Sequence, residues 1–149
     1  MICVHGTCVA FCEAGRWFAV LLRGKPGSGK SDLALRLIEQ QAKLVADDQT
    51  VLEVVEGRLT ASVPPALAGR IEVRGLGLIA RPYISGVPLV LVCDLCAPED
   101  IPRMPEPETV KLAEQELPLL RVAPFEISAP IKVRLGVEAA RRGIVGHNL

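Results

Sequence analysis

The chain has 149 residues, half of them apolar, and its 17 lysines and arginines are balanced by 17 aspartates and glutamates. One domain of this size buries a sizeable core without disulfide staples, and so apolar a chain is not disordered over most of its length. Zero formal net charge and 3% aromatic residues argue against a nonspecific nucleic-acid binder, which needs a basic surface and stacking platforms.

The N-terminal residues carry no basic region ahead of a long apolar run, so no signal peptide is expected. The apolar stretches 18–22 and 87–93 are too short to cross a bilayer, which predicts a soluble cytoplasmic protein. Residues 4–13 read as a strand or the start of a hairpin, with Ala14-Gly15 as a turn. Residues 17–22 form a continuous apolar strand. Residues 31–41 read as a helix, with Leu33, Leu35, Leu37 and Ile38 apolar and Asp32 and Arg36 facing outward. Lys43-Leu44-Val45-Ala46 is a short strand ending in Asp47-Asp48. Residues 51–55 and 58–63 make a hairpin around Glu56-Gly57, which Pro64-Pro65 ends. Ile71-Glu72-Val73 is a brief strand, and 87–93 is the strongest strand of the second half. Residues 97–109, with four prolines, read as a loop. Residues 119–123 and 125–128 read as strands, and 130–142 as a final helix with Pro130 near its first turn and Gly143 beyond its end. The pattern predicts a single α/β domain over 1–149 with a mixed, largely apolar sheet.

The five cysteines are an odd set. Cys93 and Cys96 have the spacing of a metal knuckle, which Cys8 and Cys12 could complete. Cys93 falls in a run that reads as a buried strand, so buried thiols are the expected state. Pro98 argues against a thioredoxin-like motif, which opens a helix.

The most specific signal is Gly24-Lys25-Pro26-Gly27-Ser28-Gly29-Lys30-Ser31, which meets the G-x-x-x-x-G-K-S pattern in full. Its glycines permit backbone angles that aim successive N–H groups at phosphate oxygens. The following helix adds its positive N-terminal end. Lys30 supplies a flexible charge for the β- and γ-phosphates, and the Ser31 hydroxyl can ligate Mg²⁺. An apolar strand before the loop and an amphipathic helix after it supply the expected context.

Two apolar runs end in carboxylates that could work with the metal: 89–93 before Asp94, and 43–46 before Asp47-Asp48. Run length favours Asp94. Pairing favours Asp47-Asp48, since one carboxylate can orient metal-bound water while the other takes a proton. By residue type alone, His5 fits a structural role, Glu72 the solvent face of a strand, and Arg74 a structural ion pair.

His5-Gly6, the phosphate loop, Leu44-Val45-Ala46-Asp47-Asp48 and Ile71-Glu72-Val73-Arg74-Gly75-Leu76-Gly77-Leu78-Ile79 occur in one order. Together they resemble the catalytic domain of bacterial HPr kinase/phosphorylase. The resemblance implies a P-loop nucleotide-binding core of the HPr kinase and phosphoenolpyruvate carboxykinase type, ATP as substrate, and Mg²⁺ as cofactor. It implies an HPr-type phosphocarrier as partner and a homo-oligomer, the family forming hexamers. By position, Lys30 and Ser31 would bind phosphates and Mg²⁺, and Glu72 would join the metal shell. Asp47 would be general base toward a serine and general acid in the reverse phosphorolysis. Asp48 would hydrogen-bond His5, Arg74-Gly75 would shape the pocket, and Asp94 would be an ordinary strand end.

The match also departs from the family. A chain starting almost at His5 is expected to be without the family's N-terminal domain and resembles its short form. The basic P-G-R-N-type loop is missing where Ser128 to Gly136 stand, leaving Lys132 or Arg134 to supply charge and the reverse reaction open. Two other functions fit a phosphate loop: a small-molecule kinase and a nucleotide-binding switch. A typical GTPase does not fit, because the guanine-reading motif needs an asparagine and Asn148 at the extreme end is the sole one.

Overall fold

The structure, a computed structural model, describes residues 1–143; Asn148 lies outside them. Strands β1 (Ile2–His5), β2 (Thr7–Glu13) and β3 (Arg16–Arg23) lead through the phosphate loop into helix α1 (Lys30–Glu39). Then come β4 (Lys43–Ala46), β5 (Gln49–Val55), β6 (Arg58–Ser62), β7 (Arg70–Val73), β8 (Gly77–Ala80) and β9 (Val87–Leu95). A hairpin of β10 (Glu108–Leu112) and β11 (Gln115–Val122) precedes helix α2 (Ala129–Arg141). No helix among the described residues is long and apolar enough to cross a membrane.

The main sheet has nine strands, with β1-β5-β6-β9-β3-β2-β4 in spatial order, β11 along β9, and β10 outside β11. It is mixed: β3 and β11 run parallel to β9, and the other pairings are antiparallel. β7 and β8 form a separate two-stranded ribbon.

Both faces of the central strands are covered, which is why 17–22 and 87–93 read as unbroken apolar runs. Val20 and Leu22 of β3 face a core with Leu33 and Leu37 of α1 and Val133 and Val137 of α2. Ala19 and Leu21, pointing the other way, meet Val45, Leu52, Leu59 and Leu117 of a second core. Among the described residues no α-helix contributes to that second core, so the curled sheet closes on itself there.

The sheet bends where β1 passes through Gly6 into β2 and, antiparallel beside it, β4 passes through Asp47 and Asp48 into β5. β1 pairs with β5 up to His5↔Gln49, and β2 pairs with β4 from Cys8↔Ala46. The same register on both sides sets Gly6 opposite Asp48 and Thr7 opposite Asp47. Gly6 is needed here, because a Cβ would lie 2.7 Å from Leu21 Cδ1 and 3.0 Å from the Leu22 carbonyl oxygen.

Three expectations need correction. Residues 125–128 are turns leading into α2, not a strand; the Glu126 N–H bonds the Ala123 carbonyl at 3.3 Å, and the Ala129 N–H bonds that of Glu126 at 3.1 Å. The proline-rich loop ends at Glu108, where β10 begins, because Val110 and Leu112 find cover against the second core. Arg36 does not face outward: it is half-buried, pairs with Asp32, and donates to the Pro124 carbonyl.

Candidate functional site

The phosphate loop joins β3 to α1 as the sequence predicts. Its backbone turns where the Ser28 N–H meets the Lys25 carbonyl at 3.0 Å, and Gly27 and Gly29 take φ of 80° and 102°. Such angles are strained for any residue with a Cβ. Gly24 has a different reason: a Cβ there would lie 2.4 Å from the Ser28 hydroxyl. That hydroxyl is buried with no hydrogen-bond partner among the described residues. Lys30 folds back over the loop, its Nζ donating to the carbonyls of Gly24 at 2.9 Å and Lys25 at 3.2 Å.

Asp47 and Asp48 lie at the bend of the sheet, beyond the last β4–β2 pairing. Ser31 Oγ, in the first turn of α1, donates to Asp47 Oδ1 at 2.7 Å. The buried Thr7 hydroxyl donates to the same oxygen at 3.0 Å. The Glu72 backbone N–H donates to Oδ2 at 2.8 Å. One carboxylate thus ties together β2, α1 and β7. A carboxylate offers about four lone-pair sites, so roughly one remains, on Oδ2. Asp48 is left-handed at φ 67°, its N–H bonded to Thr7 Oγ1 at 3.2 Å and its carbonyl to the Gly6 N–H at 2.9 Å.

These groups line a cleft of about 650 Å³, with Gly27, Gly29, Lys30 and Ser31 on one wall, Asp47 and Asp48 at the strand end, and Glu72 to Gly77 opposite. That volume suits a nucleotide-sized ligand. The Phe125 ring closes one side over Gly29, where a Cβ would lie 2.8 Å from it. Glu72 is exposed on the β7–β8 ribbon, so its carboxylate is free to meet a metal, and Arg74 sits at the ribbon's turn. Ser31, Glu72 and the aspartates are hard oxygen donors of the kind Mg²⁺ takes, usually one or two carboxylates together with substrate phosphates. Among the described residues no cluster of three or more His, Cys, Asp or Glu forms an all-protein metal cage.

The remaining candidates lie elsewhere. His5 is exposed at the end of β1, and no hydrogen bond joins it to the Asp48 carboxylate among the described residues. Asp94 is gripped by Arg23 in a bidentate pair of 2.7 and 3.0 Å. Cys8 and Cys93 face opposite cores and cannot share a metal; burial pushes both thiols well above their ordinary range. Lys132 pairs with Glu126, and neither it nor Arg134 lines the cleft.

Sequence reasoning missed three residues that shape the site: Thr7, Phe125 and Arg36. Thr7 could not be found, because its partner is 40 positions away. Phe125 was hidden by the reading of 125–128 as a strand. Arg36 holds the Pro124 carbonyl, and so the turn that carries the ring.

The family model described as HPr Serine kinase C-terminal domain matches residues 1–91. The chain is 41% identical over 88 residues to HPr kinase/phosphorylase of Clostridium tetani, covering 59% of this chain and 28% of the relative. It is 35% identical over 131 residues to that of Geobacillus kaustophilus, covering 80% of this chain and 41% of the relative. The chain therefore spans well under half the length of these curated relatives. Its fold matches the solved Hpr(Ser) kinase/phosphatase from Coxiella burnetii with a TM-score of 0.79, at 23% identity, covering 96% of this chain and 92% of that one.

Proposed function

We propose a function on one premise: the chain belongs to the family of HPr Serine kinase C-terminal domains. It is a phosphotransferase with a P-loop core that uses ATP and magnesium to phosphorylate a serine of HPr or a related phosphocarrier. Cytoplasmic location and homo-oligomeric assembly, of the hexameric kind, go with that reading.

The observation that carries it is the 2.7 Å contact between Ser31 and Asp47. It joins the phosphate loop to the paired carboxylates within one cleft, which is what in-line transfer to a hydroxyl requires. Lys30 exchanges the loop carbonyls for phosphate oxygens. Loop amides and the N-terminus of α1 take up the anionic charge. Ser31 and Glu72 would hold Mg²⁺, which when bound would neutralise phosphate charge. Asp47 accepts the serine hydroxyl proton at its remaining Oδ2 site. The serine oxygen then bonds the γ-phosphorus as the bond to ADP breaks, and the proton leaves Asp47 for solvent. In the reverse phosphorolysis Asp47 would act as acid, with Lys30 and Arg74 as the cations of the described cleft.

The test is transfer from ATP and Mg²⁺ to purified HPr-type phosphocarriers, read by intact-protein mass. Wild type should phosphorylate a serine, and Lys30→Ala should lower the rate roughly 100-fold or more. ATP binding without transfer would instead favour a nucleotide switch or a small-molecule acceptor. Unchanged ATP affinity and rate in Lys30→Ala would remove the nucleotide reading.

A further inference from the structure

Thr7 sits where the sheet bends, in register opposite Asp47, and is fully buried. Its hydroxyl works in both directions: it donates to Asp47 Oδ1 at 3.0 Å and accepts the Asp48 N–H at 3.2 Å. One side chain thus fixes a side chain of the first aspartate and the backbone of the second.

The neighbouring bonds leave this pair little freedom. The Gly6 N–H holds the Asp48 carbonyl at 2.9 Å, and the Gly6 carbonyl accepts from the buried Thr50 hydroxyl at 3.0 Å. The Gln49 N–H bonds the Asp47 carbonyl at 2.8 Å, closing a tight turn. Asp48 is held at φ 67°, a left-handed conformation that a residue other than glycine adopts only when its surroundings impose it. A bond to its N–H from a buried, β-branched residue with a stiff χ1 is such a constraint.

We propose that Thr7 is a positioning residue of the phosphotransfer site, which holds Asp47 on Ser31 and fixes the backbone of Asp48 beside it. The inference rests on the function proposed above and adds a residue to it. Thr7 is buried and does not line the cleft. It acts through the carboxylates, so its loss lowers the rate of transfer and leaves nucleotide affinity alone. A threonine that merely satisfied the core would show the reverse pattern, with lower stability and an unchanged rate.

Two variants separate these cases. Thr7→Val keeps the volume and branching and removes donor and acceptor; Thr7→Ser keeps both. With ATP, Mg²⁺ and an HPr-type phosphocarrier, Thr7→Val should lower kcat roughly 10- to 100-fold with KM for ATP within about twofold, and Thr7→Ser should stay within about threefold of wild type. Amide hydrogen exchange, read by NMR on the free protein, supplies a measurement independent of activity. The Asp48 amide should exchange at least about tenfold faster in Thr7→Val and at the wild-type rate in Thr7→Ser. A wild-type kcat in folded Thr7→Val overturns the proposal, as does unchanged exchange at Asp48. If wild type transfers nothing, the proposed function falls, and the exchange rates alone decide whether Thr7 holds the aspartates.

Discussion

Two strand ends flank the phosphate loop, and each carries a carboxylate. β9 is the longer and more apolar strand, runs parallel to β3, and delivers Asp94 beside Arg23, one residue before the loop. β4 has four residues, lies at the edge of the sheet, and ends before Asp47. Only Asp47 reaches Ser31, at 2.7 Å, while both oxygens of Asp94 are taken by one guanidinium. The length of an apolar run reports how deeply a strand is buried. It carries no information about what its terminal side chain touches. A fixed bidentate guanidinium commits a carboxylate to structure, whereas hydroxyl and amide donors leave part of it open to chemistry.

Asp47→Asn gives the strongest test of this contrast. It preserves shape and removes the proposed base, so phosphotransfer should fall roughly 100-fold or more while ATP affinity, read by calorimetry, stays within about threefold. Full transfer by this variant would break the contrast at its centre. Next in size is Asp94→Asn. It should lower Tm by roughly 2–4 °C and leave kcat within about threefold, since the pair it breaks is partly exposed. A loss of kcat matching that of Asp47→Asn, with Tm unchanged, would make the two strand ends equivalent. The smallest effect concerns Cys93, which precedes Asp94 inside the sheet. Native protein treated with iodoacetamide should be modified at the exposed Cys3 and Cys12 and hardly at all at Cys93 or Cys8, whose thiols burial keeps protonated. Rapid labelling of Cys93, read by peptide mass, would mean that the β9 end opens more readily than its packing implies.

The glycine-rich loop between β3 and α1 was legible in the sequence because its signal is local: eight consecutive residues carry the glycines, the lysine and the hydroxyl. Strands β3 and β9 were legible for a related reason, since burial on both faces leaves an unbroken apolar run. The choice between Asp47 and Asp94 was not legible from those runs, because it depends on which donors lie across the sheet. The resemblance to HPr kinase/phosphorylase favoured Asp47, and the Ser31 contact puts that residue at the loop. Thr7 was hidden for the same reason, as an ordinary threonine at the start of a strand. The 125–128 turn was misread because Phe125 and Ile127 suggest a strand by alternation, yet both are exposed, at 72% and 98%. Alternation predicts a strand only where a core waits to receive one face.

The bend that carries Asp47 and Asp48 is held in register from both sides, by His5↔Gln49 and by Cys8↔Ala46. The β2–β4 ladder already takes one register shift between Cys8 and Val9, and a further gain or loss of one residue would swap the faces of what lies beyond it. Single-residue insertions or deletions at 6–8 or 46–49 should therefore be purged from any library of variants that is selected for activity. The same changes at the Ala14-Gly15 or Glu56-Gly57 hairpin turns, which join strands without crossing the bend, should survive. Such a screen would read the spacing of the backbone around the aspartates as a requirement in its own right.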